Sequence, residues 1–153
     1  MKARLNPYHA APEAMKALAT VETYIHGSGL EPSLIELVKT RASQINGCAY
    51  CIHLHTRDAR ARGESEERLY LLDAWRDSPL YTERERAALA WTEAVTLVAQ
   101  THAPDAVYDE VRQHFAEDEF VKLTLAIATI NAWNRMAISF RSVHPVTSPP
   151  AAP

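Results

Sequence analysis

The chain has 153 residues, 47% hydrophobic and 23% charged, with a formal net charge of −3, the balance of an ordinary globular protein. Lys and Arg are scattered, so no basic patch points to nucleic acid or an anionic membrane surface. No apolar run follows Lys2 and Arg4, and the longest apolar stretch, Leu123 to Ala132, is too short to span a bilayer, so a reducing cytoplasm is the expected setting.

Only four glycines occur and no segment alternates like a strand, which predicts an all-α fold. A first helix is expected from Pro12 to His26, with Met15, Leu18, Val21 and Ile25 on one face and Gly27 and Gly29 ending it. A second begins near Pro32, carries Leu34, Leu37, Val38 and Ile45, and stops at Asn46-Gly47. A third runs from about Cys48 to Arg62 and ends at Gly63. Ser65 with Glu66 and Glu67 opens a short fourth helix that bears Leu69, Leu72 and Trp75 and ends before Pro79. Thr82 followed by Glu85 is a capping box for a fifth, with Ala88, Trp91, Val95 and Val98 facing inward. Pro104 starts a sixth, where Val107, Val111 and Phe115 recur every four residues. The last, about Asp118 to Arg141, is apolar almost all round between Phe120 and Trp133; such a helix is central or covered by another subunit. Residues 1–144 therefore read as one helical domain, and 145–153, with four of the nine prolines, as a Pro-rich surface tail.

The only two cysteines, Cys48 and Cys51, are spaced C-x-x-C at the start of the third helix. Helix N-termini favour negative charge, so a cysteine there loses its proton more easily, and the thiolate is the nucleophile. Cys48, Cys51 and His55 form one stripe at helical spacing, within disulfide reach for the sulfurs, whereas His53 turns away. Glu36 lies ten residues before the turn and His55 eight after it, roughly 15 Å and 12 Å along their helices, so antiparallel packing sets them level. Glu36 can then orient His55, and His55 can draw the proton from Cys51.

Duller readings stand beside this one. The cysteines can be packing residues. Cys48, Cys51, His55 and Glu36 can also form a four-ligand zinc set, although no second Cys/His pair with finger spacing occurs. Arg41 is expected to join two helices as a paired, buried arginine rather than to clamp a substrate. Ser43, on the Glu36 face, suits either a supporting hydrogen bond or helix packing, and Asn46 is expected to take the left-handed turn that ends its helix. His9, His26, His102, His114 and His144 read as surface or helix-end residues, and Trp75, Trp91 and Trp133 as core.

The pattern Glu36-x4-Arg41-x-Ser43-x2-Asn46-x-Cys48-x2-Cys51-x3-His55 resembles the core signature of the alkylhydroperoxidase D-like (AhpD-like) branch of the carboxymuconolactone decarboxylase family, over residues 30–63. Ile130 to Arg135 is similar to the closing helix of its small members. The resemblance implies a compact, all-α, multi-helix AhpD-like domain with the C-x-x-C at a helix start, assembled as a trimer or hexamer. It further implies that Cys51 attacks a hydroperoxide and Cys48 resolves it as a disulfide, with Glu36 and His55 as proton relay. A lipoyl-bearing or thioredoxin-like dithiol protein then re-reduces the pair. The best-known peroxidase of the family has a histidine immediately before the second cysteine, where this chain has Tyr50; a phenol donates a hydrogen bond but is no base at neutral pH. Either the relay is shorter here or peroxide reduction is slower. The expected function is thiol-dependent reduction of hydroperoxides, with no bound cofactor. The alternatives are lactone decarboxylation by a family lyase, which leaves the thiol pair unexplained, and a non-catalytic redox sensor.

Overall fold

In the computed structural model, which describes residues 2–145, each regular element is helical. The expected tail from 146 to 153 lies outside the described residues. In chain order the elements are α1 (Pro7–Ala10), α2 (Pro12–His26), α3 (Pro32–Asn46), α4 (Ala49–Ala61), α5 (Glu66–Tyr70), the 3₁₀ turn η1 (Leu72–Ala74), α6 (Glu83–Thr96), α7 (Val98–Thr101), α8 (Asp105–Arg112) and α9 (Glu117–Phe140). None of these helices is long and apolar enough to cross a membrane.

Local chemistry explains most boundaries. Pro7, Pro12 and Pro32 open α1, α2 and α3, where a missing N–H is harmless. Thr82 and Glu85 form the expected capping box of α6, with Glu85 Oε2 accepting from the Thr82 N–H at 2.8 Å.

Helix α3 is central, packing against α4, α6 and α9. One core joins Ile35 and Val38 of α3 to Ala87 and Trp91 of α6 and to Leu123 and Ile127 of α9. A second gathers Leu37, Leu72, Trp75 and Leu89, and a smaller third surrounds the cysteines with Ala42 and Ile130. Each buried aliphatic side chain contributes about 1.5–3 kcal/mol relative to exposure. Arg41 is partly buried: Nε donates to Glu93 Oε1 at 2.9 Å, joining α3 to α6, and the guanidinium also reaches Asp73. Burial would raise the Glu93 pKa, but hydrogen bonds from Trp75, Arg76 and Arg41 outweigh it and hold the carboxyl below its usual range.

Four expectations need correction. The turn α1 was not foreseen, although Asn6 caps it by accepting from the Tyr8 N–H at 3.0 Å. The fourth helix breaks at Leu71 into α5 and η1. The fifth stops at Thr96, so Val98 starts the separate turn α7 and is exposed rather than inward. Asn46 stays helical, and Gly47 takes the left-handed conformation because it lacks a Cβ. Helix α9 is central, as its apolar run requires, yet Val121, Leu125 and Ile138 remain exposed along it.

Candidate active site

The site starts from the turn between α3 and α4. Gly47, at φ +67°, donates its N–H to Gln44 O at 3.1 Å, and Cys48 donates its N–H to Ser43 O at 2.9 Å. This pair of bonds is a Schellman closure, and it delivers Cys48 directly as the N-cap of α4. Cys48 Sγ accepts from the Cys51 N–H at 3.4 Å. Both cysteines are free thiols and almost fully buried.

The two sulfurs differ in charge and in reach. A hydrogen bond from the Cys51 thiol, the backbone N–H groups of Cys51 and Tyr50 and the Asn134 amide together outweigh burial and pull the Cys48 pKa down to about 7. Donating to Cys48, being buried and facing that sulfur's charge push the Cys51 thiol upward, against a smaller opposing effect of Asn134. The first negative charge of the pair therefore rests on Cys48. Cys51, however, lines a cavity of about 500 Å³ and Cys48 does not.

Glu36 and His55 meet as the turn geometry predicts, with His55 Nδ1 2.9 Å from Glu36 Oε2 and both residues buried. Arg62 Nε lies 3.9 Å from Glu36 Oε1. The contact at Nδ1 leaves Nε2 as the other ring nitrogen, and His55 lines the cavity. His53 turns away, as expected, and stacks on His144 with ring centroids 4.8 Å apart. Tyr50 is partly exposed and lines the cavity, so its phenol is available as a donor.

A buried amide network ties the turn to α9. Asn46 Nδ2 donates to Asn131 Oδ1 at 2.9 Å and to Asn134 Oδ1 at 2.8 Å. Asn134 Nδ2 donates to Ser43 Oγ at 3.0 Å, and Ser43 Oγ donates to Lys39 O at 2.7 Å. Because Asn46 occupies the Asn134 oxygen, the Asn134 amide must turn its N–H groups toward Ser43 and the sulfurs. Ser43 and Asn46 thus both bond the Asn134 amide.

The cavity wall is largely apolar, including Met15, Ile130, Trp133 and Phe140, and the segment before α1 covers one side. Arg4 ties that segment to the end of α9 through its N–H to Phe140 O at 3.0 Å. Glu22 and His26 of α2 also line the cavity. His26 Nε2 is 2.9 Å from Glu22 Oε1, and the fully buried Lys39 pairs with the same carboxylate. His26 is the exposed last residue of α2, the helix-end position expected of it, but its pairing with Glu22 and Lys39 was not anticipated; the i, i+4 spacing of Glu22 and His26 was the available signal. Trp133 is only partly buried and is a wall residue. Among the described residues, no cluster of His, Cys, Asp and Glu can hold a metal ion.

The profile of the carboxymuconolactone decarboxylase family matches residues 11–94. The chain belongs to this family. Among its relatives, the uncharacterised Bacillus subtilis protein YdfG is 44% identical over 139 residues, which is 91% of this chain and 95% of YdfG. An Agrobacterium tumefaciens protein of unknown function, for which an AhpD antioxidant-defence role has been suggested, is 51% identical and has a TM-score of 0.93, covering 95% of this chain and 99% of its own. An uncharacterised peroxidase-related protein from Silicibacter shares the fold at 21% identity and a TM-score of 0.80, over 91% of this chain and 74% of its own. The family fold here is that of the AhpD-like branch.

Proposed function

We propose that the protein is a thiol-dependent peroxidase that reduces organic hydroperoxides through a dithiol/disulfide cycle. The observation that carries the reading is that Cys51 faces a mostly apolar cavity, with His55 a turn away and Cys48 in hydrogen-bond contact behind it. Cys51 passes its proton to His55, which Glu36 holds in place, and the thiolate attacks the distal peroxide oxygen. The O–O bond breaks, an alcohol leaves and Cys51 becomes a sulfenic acid. Cys48 then attacks the Cys51 sulfur, water leaves and a disulfide forms. A dithiol protein, lipoyl-bearing or thioredoxin-like, returns the two electrons. The exposed apolar residues Val121 and Leu125 of α9 support a homo-oligomer, trimeric or hexameric.

The test is hydroperoxide consumption with a dithiol reductant. The parent protein turns over and Cys51→Ser does not; equal rates would end the reading. Cys48→Ser is expected to give one oxidation per chain and then stall.

A further inference from the structure

Two histidine–carboxylate pairs share the cavity beside Cys51, and the cycle above uses one of them. Glu36 and His55 stand with Cys51 on the α3/α4 side, while Glu22 and His26 come from α2. The second pair is more exposed than the first, but a buried lysine anchors its carboxylate. Lys39, with no solvent exposure, supplies a fixed positive charge to Glu22. Burial would raise the Glu22 pKa, but the hydrogen bond and charge of Lys39, with smaller contributions from His26 and His55, hold it below its usual range. Glu22 is therefore a carboxylate at neutral pH. It binds His26 at Nε2, 2.9 Å away, which leaves Nδ1 as the exchangeable nitrogen.

Displacement at a peroxide oxygen is in line. The attacking sulfur, the distal oxygen and the departing oxygen fall on one axis, so the departing oxygen points away from the wall that bears the nucleophile. Cys51 and His55 both project from α4, on the sulfur's side of that axis. An alkoxide is a strong base and leaves readily only if a proton meets it. We propose that His26, oriented by Glu22, is the general acid that protonates the departing oxygen, while His55 and Glu36 serve the sulfur.

The assignment rests on the peroxidase reading. The S–O bond forms as the O–O bond breaks; sulfur is oxidised to the sulfenic acid and the departing oxygen is reduced to an alcohol. The Cys51 proton goes to His55 and the His26 proton to the alkoxide. Cys48 then attacks Cys51, and hydroxide leaves with the proton from His55 as water. The Cys48 proton passes to solvent, which also reprotonates His26. The His26 side chain is 40% exposed, so it reaches that solvent, whereas that of His55 is 11% exposed.

The test compares leaving groups in a single turnover of the reduced protein, read by tryptophan fluorescence from the wall residue Trp133. tert-Butyl hydroperoxide expels an alkoxide that needs a proton; peracetic acid expels acetate, which does not. In His26→Gln the first reaction is expected to slow by about 10²–10⁴-fold and the second by less than about threefold. Imidazole added to His26→Gly should restore the first reaction alone. Equal losses on both oxidants, no loss on either, or no rescue in a folded His26→Gly protein overturns the assignment. A parent protein that reduces neither oxidant ends the peroxidase reading as well, so the two failures are distinguishable.

Discussion

Replacing Cys51 by alanine rather than by serine separates the two sources of the low Cys48 thiol pKa. That thiol is lowered from 9.0 to about 7, which corresponds to about 3 kcal/mol of preference for the thiolate. The largest cause is the Cys51 thiol donor, followed on the lowering side by the N–H of Cys51 and the Asn134 amide. Serine retains an O–H donor at the same place; alanine does not. In reduced protein followed by ultraviolet thiolate absorbance, Cys51→Ser is expected to keep its midpoint near that of the parent, and Cys51→Ala to rise by about one unit or more. The same charge appears in stability. Over roughly pH 7 to 8.5 the folded state has released the Cys48 proton and the unfolded chain has not, so stability rises with pH and this contribution is lost as pH falls through about 7. Above roughly pH 8.5 the unfolded chain also sheds the Cys51 proton that the folded state retains, and stability falls again. Urea melts of the reduced parent should therefore gain about 1 kcal/mol between roughly pH 6.5 and 8.5, a gain absent from the Cys48→Ser/Cys51→Ser protein. A Cys51→Ala midpoint unchanged from the parent would refute the reasoning and assign the low value to the helix start alone.

Two structural variants test the supports. Asn134→Leu leaves the Asn46 amide and the Ser43 hydroxyl without their partner in a buried setting; urea denaturation should show a loss of about 2–4 kcal/mol, with a raised thiol midpoint, and a loss below about 1 kcal/mol would contradict the network. Gly47→Ala meets open space but must hold φ +67°, so it should cost about 1–2 kcal/mol in the same assay while leaving the thiol midpoint in place; a shifted midpoint would mean that the closure itself had moved.

The fold was legible where the signal is local. Prolines, a capping box and glycine stops mark the ends of α2, α3, α4 and α6, and apolar spacing identifies their buried faces. The Glu36–His55 contact was legible too, because a tight turn makes distance from the turn a measure of height along both helices. What spacing cannot supply is the identity of the residue opposite. Asn46 meets Asn131 and Asn134 across separations of 85 and 88 residues, and in isolation its simplest use was the turn that Gly47 takes instead. Glu22 and His26 form a pattern on α2, but Lys39 and the cavity give that pattern meaning, and both depend on tertiary packing. Leu71 and Leu97, where two expected helices break, carry no glycine or proline signal.

The opposite demands on the two sulfurs explain why a pair is needed where one thiol can already attack. Cys48 holds the charge because the Cys51 thiol donates to it, with help from the N–H groups that its N-cap position brings near, and it does not line the cavity. Cys51 reaches the cavity because it lies one turn further, and there it donates to Cys48 and keeps its proton. On the proposed cycle this arrangement suits the second step better than the first. Once Cys51 has been oxidised, the sulfur that must attack it is adjacent, and the N–H groups of Cys51 and Tyr50 and the Asn134 amide still favour its thiolate. The first step lacks that advantage, since Cys51 must lose a proton that Cys48 stabilises. On that cycle the base is His55 on Glu36, one turn beyond Cys51, and protonation of the departing oxygen falls to His26, which lines the same cavity.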